Sequence, residues 1–426
     1  MACVLERDRR FFMILRARVV LPISRPPIED GAVRVSGNRI AQVGPWRDFS
    51  AGDSEVIDLG ETILMPGLIN AHCHLDYTDM AGLMPPQKSF TNWIQLMLAT
   101  KAGWNYSEYA ESWLRGARML QKTGTTTVAD FEAVPELLPE VWSSTPLRVI
   151  SLLEMTGVKS RRDPRAILRD NVEHILTLPG GRCRPGLAPH APYSAPPELL
   201  RLAADTARQR HWPLSIHVAE SVQEFEMFAN GAGVMFDWLR RNNRDMSDCG
   251  QCSPLQHLER FGVLNENCLA VHVNYLGERD ARLLARRKTS VAHCPRSHAY
   301  FGHEEFPFHT LARAKVNICL GTDSLATVYK KPRQTVELNM FEEMQAFAAK
   351  YPRVSPEKVL TMATMNGARA LGMEGDAGEI SEKALADLIA IPFRGKIDDA
   401  NEAAVQHKGD VMASMIDGEW AVEPKS

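Results

Sequence analysis

Ile63-Leu64-Met65-Pro66-Gly67-Leu68-Ile69-Asn70-Ala71-His72-Cys73-His74 is the stretch on which the architecture turns. The apolar run over 63–69 reads as a buried strand, and it leads straight into two histidines. Alternate residues of an extended strand point the same way, so His72 and His74 can share one metal ion. The same texture then recurs along the chain. Apolar or β-branched runs follow at 125–129, 147–153, 186–189, 214–218, 269–273, 290–292 and 316–320. Helical patterns lie between most of them, as at 109–121, 196–209, 222–228, 278–286 and 336–349. Eight strand candidates alternating with helices predict an α/β fold of the (β/α)8 barrel type.

Outside this alternation the texture changes. Short β-like runs at 14–21, 31–35, 40–43 and 56–59, and again at 388–391, 410–416 and 419–422, are punctuated by Gly, Pro, Asn and Asp. Two β-rich ends around a long α/β middle predict that both ends of the chain combine into one small sheet domain. The expected division is residues 13–65 with 388–422 for that domain and 66–387 for the barrel.

The 426 residues are 45% hydrophobic and 24% charged with a net charge of −3, an ordinary soluble composition that carries no footprint for a nucleic-acid polymer or a membrane surface. The eight cysteines are scattered, which reads as buried free thiols in a reducing compartment rather than a disulfide framework. Cys249 and Cys252 with His257 could form a zinc knuckle, but no second ligand pair lies nearby and a polar loop explains them. No run approaches the ~20 apolar residues needed to span a bilayer. The expected location is cytoplasmic, with residues 1–12 an extension ahead of the fold and Met13 an alternative start.

Ionisable residues gather just after the strand candidates, where a barrel builds its active site. His72 and His74 follow the first, His190 the fourth, His217 and Glu220 the fifth, His272 the sixth, His293 the seventh and Asp323 the eighth. Singly each has a plain reading. A histidine at a strand end is usually a hydrogen-bonded structural residue, and an Asp after Gly-Thr is usually a cap or turn former. Their coincidence at successive strand ends points instead to a metal site. Imidazoles with a carboxylate suit zinc, and the same ligands tolerate iron(II). His293 is left as a packed residue behind the site.

Pro66-Gly67-Leu68-Ile69-Asn70-Ala71-His72-Cys73-His74, His217-Val218-Ala219-Glu220, His293-Cys294-Pro295-Arg296-Ser297, Gly321-Thr322-Asp323-Ser324 and Ala386-Asp387-Leu388-Ile389-Ala390 together resemble the amidohydrolase superfamily. Within it they resemble the cytosine/adenosine-type deaminases and chlorohydrolases. The resemblance runs from about Met13 to Val422. It implies a distorted (β/α)8 TIM barrel with a small β-sandwich built from both chain ends. It also implies one divalent metal ion, usually zinc, held by His72, His74, His217 and Asp323. Two-metal relatives carry a carboxylated lysine at the fourth strand; His190 stands there in this chain, which favours a single ion. By the same resemblance Asp323 is the general base, His272 orients the attacking hydroxide, and Glu220 protonates the ring nitrogen, the mark of the deaminases.

The expected substrate is a small heteroaromatic molecule, a purine-like ring and within that group a 5′-modified adenosine of the thioether or aminofutalosine type. Expected substrate contacts are His190, Glu220, Trp93 and Arg296. Trp93 reads equally as a core aromatic beneath a helix. Arg296 reads as the partner of an anionic substrate group or of an acid such as Glu304. Several positions depart from the adenosine-type pattern: Arg296-Ser297-His298 after Cys-Pro, Leu325-Ala326-Thr327 after Thr-Asp-Ser, and Glu154 where thioether-nucleoside deaminases tend to have an arginine. Two alternatives stand beside deamination. One is displacement of halide or thioether from a heteroaromatic ring, and the other is a catalytically inactive barrel scaffold. Homo-oligomers are common among such barrels, and the sequence leaves the oligomeric state open.

Overall fold

The computed structural model describes residues 12–52, 54–158 and 162–424. Cys3 and all but the last residue of the expected 1–12 extension lie outside them. Five strands come first: β1 (Phe12–Val20), β2 (Ile28–Ser36), β3 (Arg39–Pro45), β4 (Glu55–Asp58) and β5 (Thr62–Pro66). Eight more form the barrel: β6 (Leu68–Cys73), β7 (Thr125–Glu132), β8 (Arg148–Met155), β9 (Arg184–Pro189), β10 (Leu214–Val218), β11 (Cys268–His272), β12 (Ser290–His293) and β13 (Ile318–Leu320). Three close the chain: β14 (Leu388–Pro392), β15 (Ala413–Ile416) and β16 (Glu419–Val422).

Strands β6 to β13 pair in sequence order, all parallel, with helices between most of them. Such strands are covered on both faces, which is why they read as continuous apolar runs. The inner face is filled by Ile69, Ala129, Phe131, Ile150, Leu152 and Val271 among others. The circle closes between β13 and β6 through a parallel bridge of Cys73 with Asp323. There the amides of Thr322 and Asp323 both donate to the carbonyl of His72 at 3.0 Å. Asn70 completes the seam, donating to the Thr322 hydroxyl at 2.8 Å and accepting from its amide at 3.0 Å. Gly321 is required here, because a Cβ would sit 2.8 Å from the backbone N and O of His72.

The remaining strands make one mixed sheet in the order β16-β15-β14-β5-β1-β2-β3, with β4 also pairing β1. Both chain ends therefore share a sheet, with Leu15, Val33, Ile40, Leu64, Leu388 and Met415 in its core. One expectation needs correction. The run over 63–69 is two strands rather than one. β5 pairs β1 and β14 in the mixed sheet, whereas β6 opens the barrel. Pro66 and Gly67 make the break, and a Cβ on Gly67 would collide with Thr126 of β7 at 2.1 Å. The chain could not pass so close to β7 with any side chain at that position.

A buried ion pair ties the sheet to the barrel. Arg148 on β8 donates to Asp387 from Nε at 3.1 Å and from Nη2 at 3.3 Å, and Asp387 also accepts the amide of Asp417 at 2.7 Å. The cysteines among the described residues are all free thiols. Cys249 lies beside Asp248 and Arg244, His257 faces Asp248 at 3.5 Å, and no metal-capable group of side chains includes them among the described residues. Nor is any described helix long and apolar enough to cross a membrane.

Candidate active site

The ionisable residues singled out above converge at the C-terminal ends of the barrel strands. How they get there begins with an irregularity in β6. Ile69 and Ala71 face the barrel interior, so simple alternation would turn His72 outward. The register of β6 on β7 slips between Asn70 and Cys73. Above the slip His72 packs its ring on the interior Phe131, with centroids 4.8 Å apart, while Cys73 joins the outer core. A bulge re-aims a side chain in this way. Asp130 then fixes the chain just beyond, its Oδ1 accepting the Leu75 amide and its Oδ2 the Trp113 indole, both at 2.8 Å.

Four imidazoles and two carboxyls meet there. Asp323 Oδ1 lies 3.7 Å from His72 Nε2 and 3.8 Å from His74 Nε2, and the Nε2 atoms of His74 and His217 are 3.4 Å apart. His217 points its other nitrogen, Nδ1, at the carbonyl of His190 at 2.8 Å. His272 Nε2 sits 3.6 Å from Glu220 Oε1. These donors suit a divalent ion. Ligands about 2.1 Å from a tetrahedral centre lie about 3.4 Å from one another, close to the separations seen. His72 Nε2, which faces Asp323 Oδ1, is buried without a hydrogen-bond partner, an expensive state that a bound cation would relieve. His72, His74 and Asp323 form one metal-capable group, and His72, His217 and His272 another.

Burial lowers His74 and His217 well below the usual imidazole range, with neighbouring imidazoles adding to the effect, and it lowers His190 as well. His272 falls to about 3, again chiefly by burial. Neutral rings are what a cation needs from its ligands. Burial by itself would raise Asp323, but its interaction with His72, and the further imidazoles His272 and His74, outweigh this and keep it a carboxylate. Glu220 goes the other way. Burial first, then the charges of Asp323 and Glu224, push it well above the carboxylate range. Two carboxyls in one site are thus shifted in opposite directions.

Several residues that the sequence reading did not single out hold this arrangement. Ser297 and Thr327 both donate to Asp323 Oδ2, at 2.6 and 3.1 Å, so that Oδ1 is the oxygen facing the imidazoles. Glu224 accepts the amides of Ala219 and Glu220 at 2.9 and 3.0 Å and so fixes the turn that carries Glu220. Ser297 sits inside a quoted motif and Glu224 four residues past Glu220, so proximity was their only signal. Ala219, His272, Val273 and Asp323 all adopt positive φ, between 50° and 73°. Left-handed backbone at non-glycine residues is strained and gathers at functional sites.

A cavity of about 1000 Å3, its open mouth included, lies above the cluster. His190 and Trp93 line it along with His74, His217, Glu220, His272 and Asp323. His190 is held by a 2.7 Å contact of Nδ1 with the Ser194 hydroxyl. Trp93 also packs against Phe90 and Phe301, so it is core aromatic and cavity wall at once. His293 stacks on Phe306 behind the site, with centroids 3.8 Å apart. Arg296 is a correction. It neither lines the cavity nor pairs Glu304, because its helix turns it toward Glu342 and Glu343, and it donates as well to the Glu337 carbonyl. Glu343 is fully buried and needs that countercharge. Glu154, by contrast, does line the cavity.

The amidohydrolase family model matches residues 63–421. The chain belongs to the amidohydrolase family. This amidohydrolase is a hydrolase of carbon–nitrogen bonds other than peptide bonds, in a family that depends on metal. It is 31% identical over 392 residues to a 5-methylthioadenosine/S-adenosylhomocysteine deaminase of Syntrophobacter fumaroxidans, covering 86% of this chain and 81% of that one. Among solved structures, an adenosine deaminase from Xanthomonas campestris with bound zinc aligns with a TM-score of 0.80 at 24% identity, over 96% of this chain and 92% of that one. Helicobacter pylori aminofutalosine deaminase in complex with methylthio-coformycin aligns with a TM-score of 0.84 at 20% identity, over 96% and 100%. These two likenesses describe the fold.

Proposed function

We propose that the chain is a metal-dependent hydrolytic deaminase that releases ammonia from a purine-like ring, with a 5′-modified adenosine as its substrate. Glu220 carries the reading. A buried carboxyl raised well above the ordinary carboxylate range by burial and neighbouring acids, 3.6 Å from His272 and beside the metal-capable cluster, is suited to give a proton to a ring nitrogen. A departing amine needs a proton as well, which a halide does not. The names of the sequence relatives support the same reading.

His72, His74, His217 and Asp323 would hold the ion, a single divalent cation with zinc as the first choice. When bound, it supplies Lewis-acid activation of water at neutral pH. The other steps belong to side chains. Asp323 takes one proton from the attacking water. His272, uncharged, orients that water by a hydrogen bond. Glu220 gives its proton to the ring nitrogen as oxygen adds to the adjacent carbon. Asp323 then passes its proton to the departing amino group, and the new hydroxyl returns a proton to Glu220 as the carbon–oxygen double bond forms. Water and the amine become a carbonyl and ammonia, and both carboxyls are restored. His190 and Trp93 contact the substrate.

The test is ammonia release by zinc-loaded protein over adenosine, 5′-deoxyadenosine, 5′-methylthioadenosine, S-adenosylhomocysteine, aminofutalosine, guanine and cytosine. Saturable release from a 5′-modified adenosine is expected. One bound metal per chain with no ammonia from any of these would overturn the purine assignment.

A further inference from the structure

The helix Phe90–Lys101 forms one wall of the cavity, and its sequence there is sharply divided. Phe90, Trp93, Ile94, Met97 and Leu98 face the cavity, at the helical spacing of a single stripe. Lys101 ends that stripe. From Phe90 to Lys101 the stripe runs about 16 Å, at 1.5 Å per residue. The Lys101 end lies toward the metal-capable cluster. Its Nζ sits 4.7 Å above the Tyr77 ring, which stacks on His74 at 5.2 Å. Glu154 lies near this end, on β8, its backbone in register with Ala188 of β9 two residues before His190. Among the described residues neither Lys101 nor Glu154 is in an ion pair within this structure; the Lys101 ammonium donates to the Tyr77 hydroxyl and lies over its ring.

The opposite end is apolar. Phe90 and Trp93 pack on Phe301, and Val158, Trp238 and Leu239 stand in the same wall. Apart from the catalytic carboxyls, the charged lysines, arginines and acids among the described lining residues are Lys101 and Glu154 alone. A charged tail laid along this stripe would leave water without a partner, whereas an apolar tail gains by burial.

We propose that this helix sorts substrates by their 5′ substituent: Lys101 and Glu154 hold the hydroxyl-bearing sugar beside the ring, and the stripe Phe90–Leu98 receives an apolar tail. An uncharged thioether or deoxy substituent is therefore favoured over an amino-acid tail. The inference rests on the deaminase reading above.

Steady-state ammonia release decides it. With the unmodified protein, kcat/KM is expected to rise roughly tenfold from adenosine to 5′-methylthioadenosine and to fall again for S-adenosylhomocysteine. Leu98→Arg, at a position 37% exposed, is expected to shift the ratio of those last two roughly tenfold toward the carboxylate-bearing tail. Lys101→Met is expected to raise KM for 5′-methylthioadenosine and to leave it unchanged for the 2′,3′-dideoxy analogue. Equal kcat/KM for all three tails, or a preference for the amino-acid tail, overturns the inference while ammonia release itself keeps the deaminase reading standing. Silence on all three overturns the deaminase reading, and the inference with it.

Discussion

Glu220 and Asp323 are two buried carboxyls of one site, and their different surroundings shift them in opposite directions. Asp323 has imidazoles on one oxygen and two hydroxyls on the other. Glu220 has burial and two like charges. Glu220→Gln is expected to lower kcat by roughly 10²–10⁴ with bound metal unchanged, measured as ammonia release against metal content. The pH profile carries the sign. As the proposed proton donor Glu220 must hold its proton, so activity is expected to fall as pH rises through its raised pKa. Removing one of the two hydroxyls on Asp323 Oδ2 loosens its aim without emptying the site. Ser297→Ala should therefore reduce kcat by about three- to tenfold at unchanged KM, and Ser297→Thr should restore most of it. Loss of KM rather than kcat would place Ser297 in substrate binding instead.

At the scale of elements, the site depends on how strands end. The slip in β6 turns His72 inward, and the seam at Gly321 draws β13 against it. The turn after β10 is clamped by Glu224, whose own pKa climbs to about 7 because burial outweighs its two backbone amides. Between 4.5 and about 7 the folded chain keeps this proton while the unfolded chain has lost it. The stability tied to Glu224 is present below 4.5 and lost as pH rises toward 7, by at most about 1.4 kcal/mol per pH unit. Glu224→Gln ionises in neither state. Its melting temperature should fall less steeply across that window than that of the unmodified protein, and parallel slopes would show that the clamp does not titrate there. The same variant keeps one amide acceptor, so its kcat reports whether the turn has moved.

In the whole molecule, the barrel and the mixed sheet are locked together by Arg148 and Asp387, each nearly buried. Arg148→Met would strand a carboxylate in the interior and is expected to cost about 3–5 kcal/mol in denaturant unfolding. Metal-loaded protein that remains folded should retain its kcat, since neither residue reaches the cavity. What was legible in the sequence follows the reach of each signal. Strand order and type could be read because each barrel strand is apolar over its own length. His74, His217, Glu220 and Asp323 could be found because each stands within a few residues of its own strand's end, a local relation that survives any error in boundaries. Other features were hidden for the opposite reason. The break at Gly67 comes from Thr126 on another strand, and the partner of Arg296 lies on a helix more than forty residues away. Lys101 comes to the cavity wall beside Tyr77, 24 residues away in the chain. The sequence by itself determined the barrel, its order and the set of chemical groups at its mouth, because those follow from local periodicity. Only the tertiary structure decided where β5 ends and β6 begins, which way His72 points and which charged side chains line the cavity, because each depends on neighbours brought together through space.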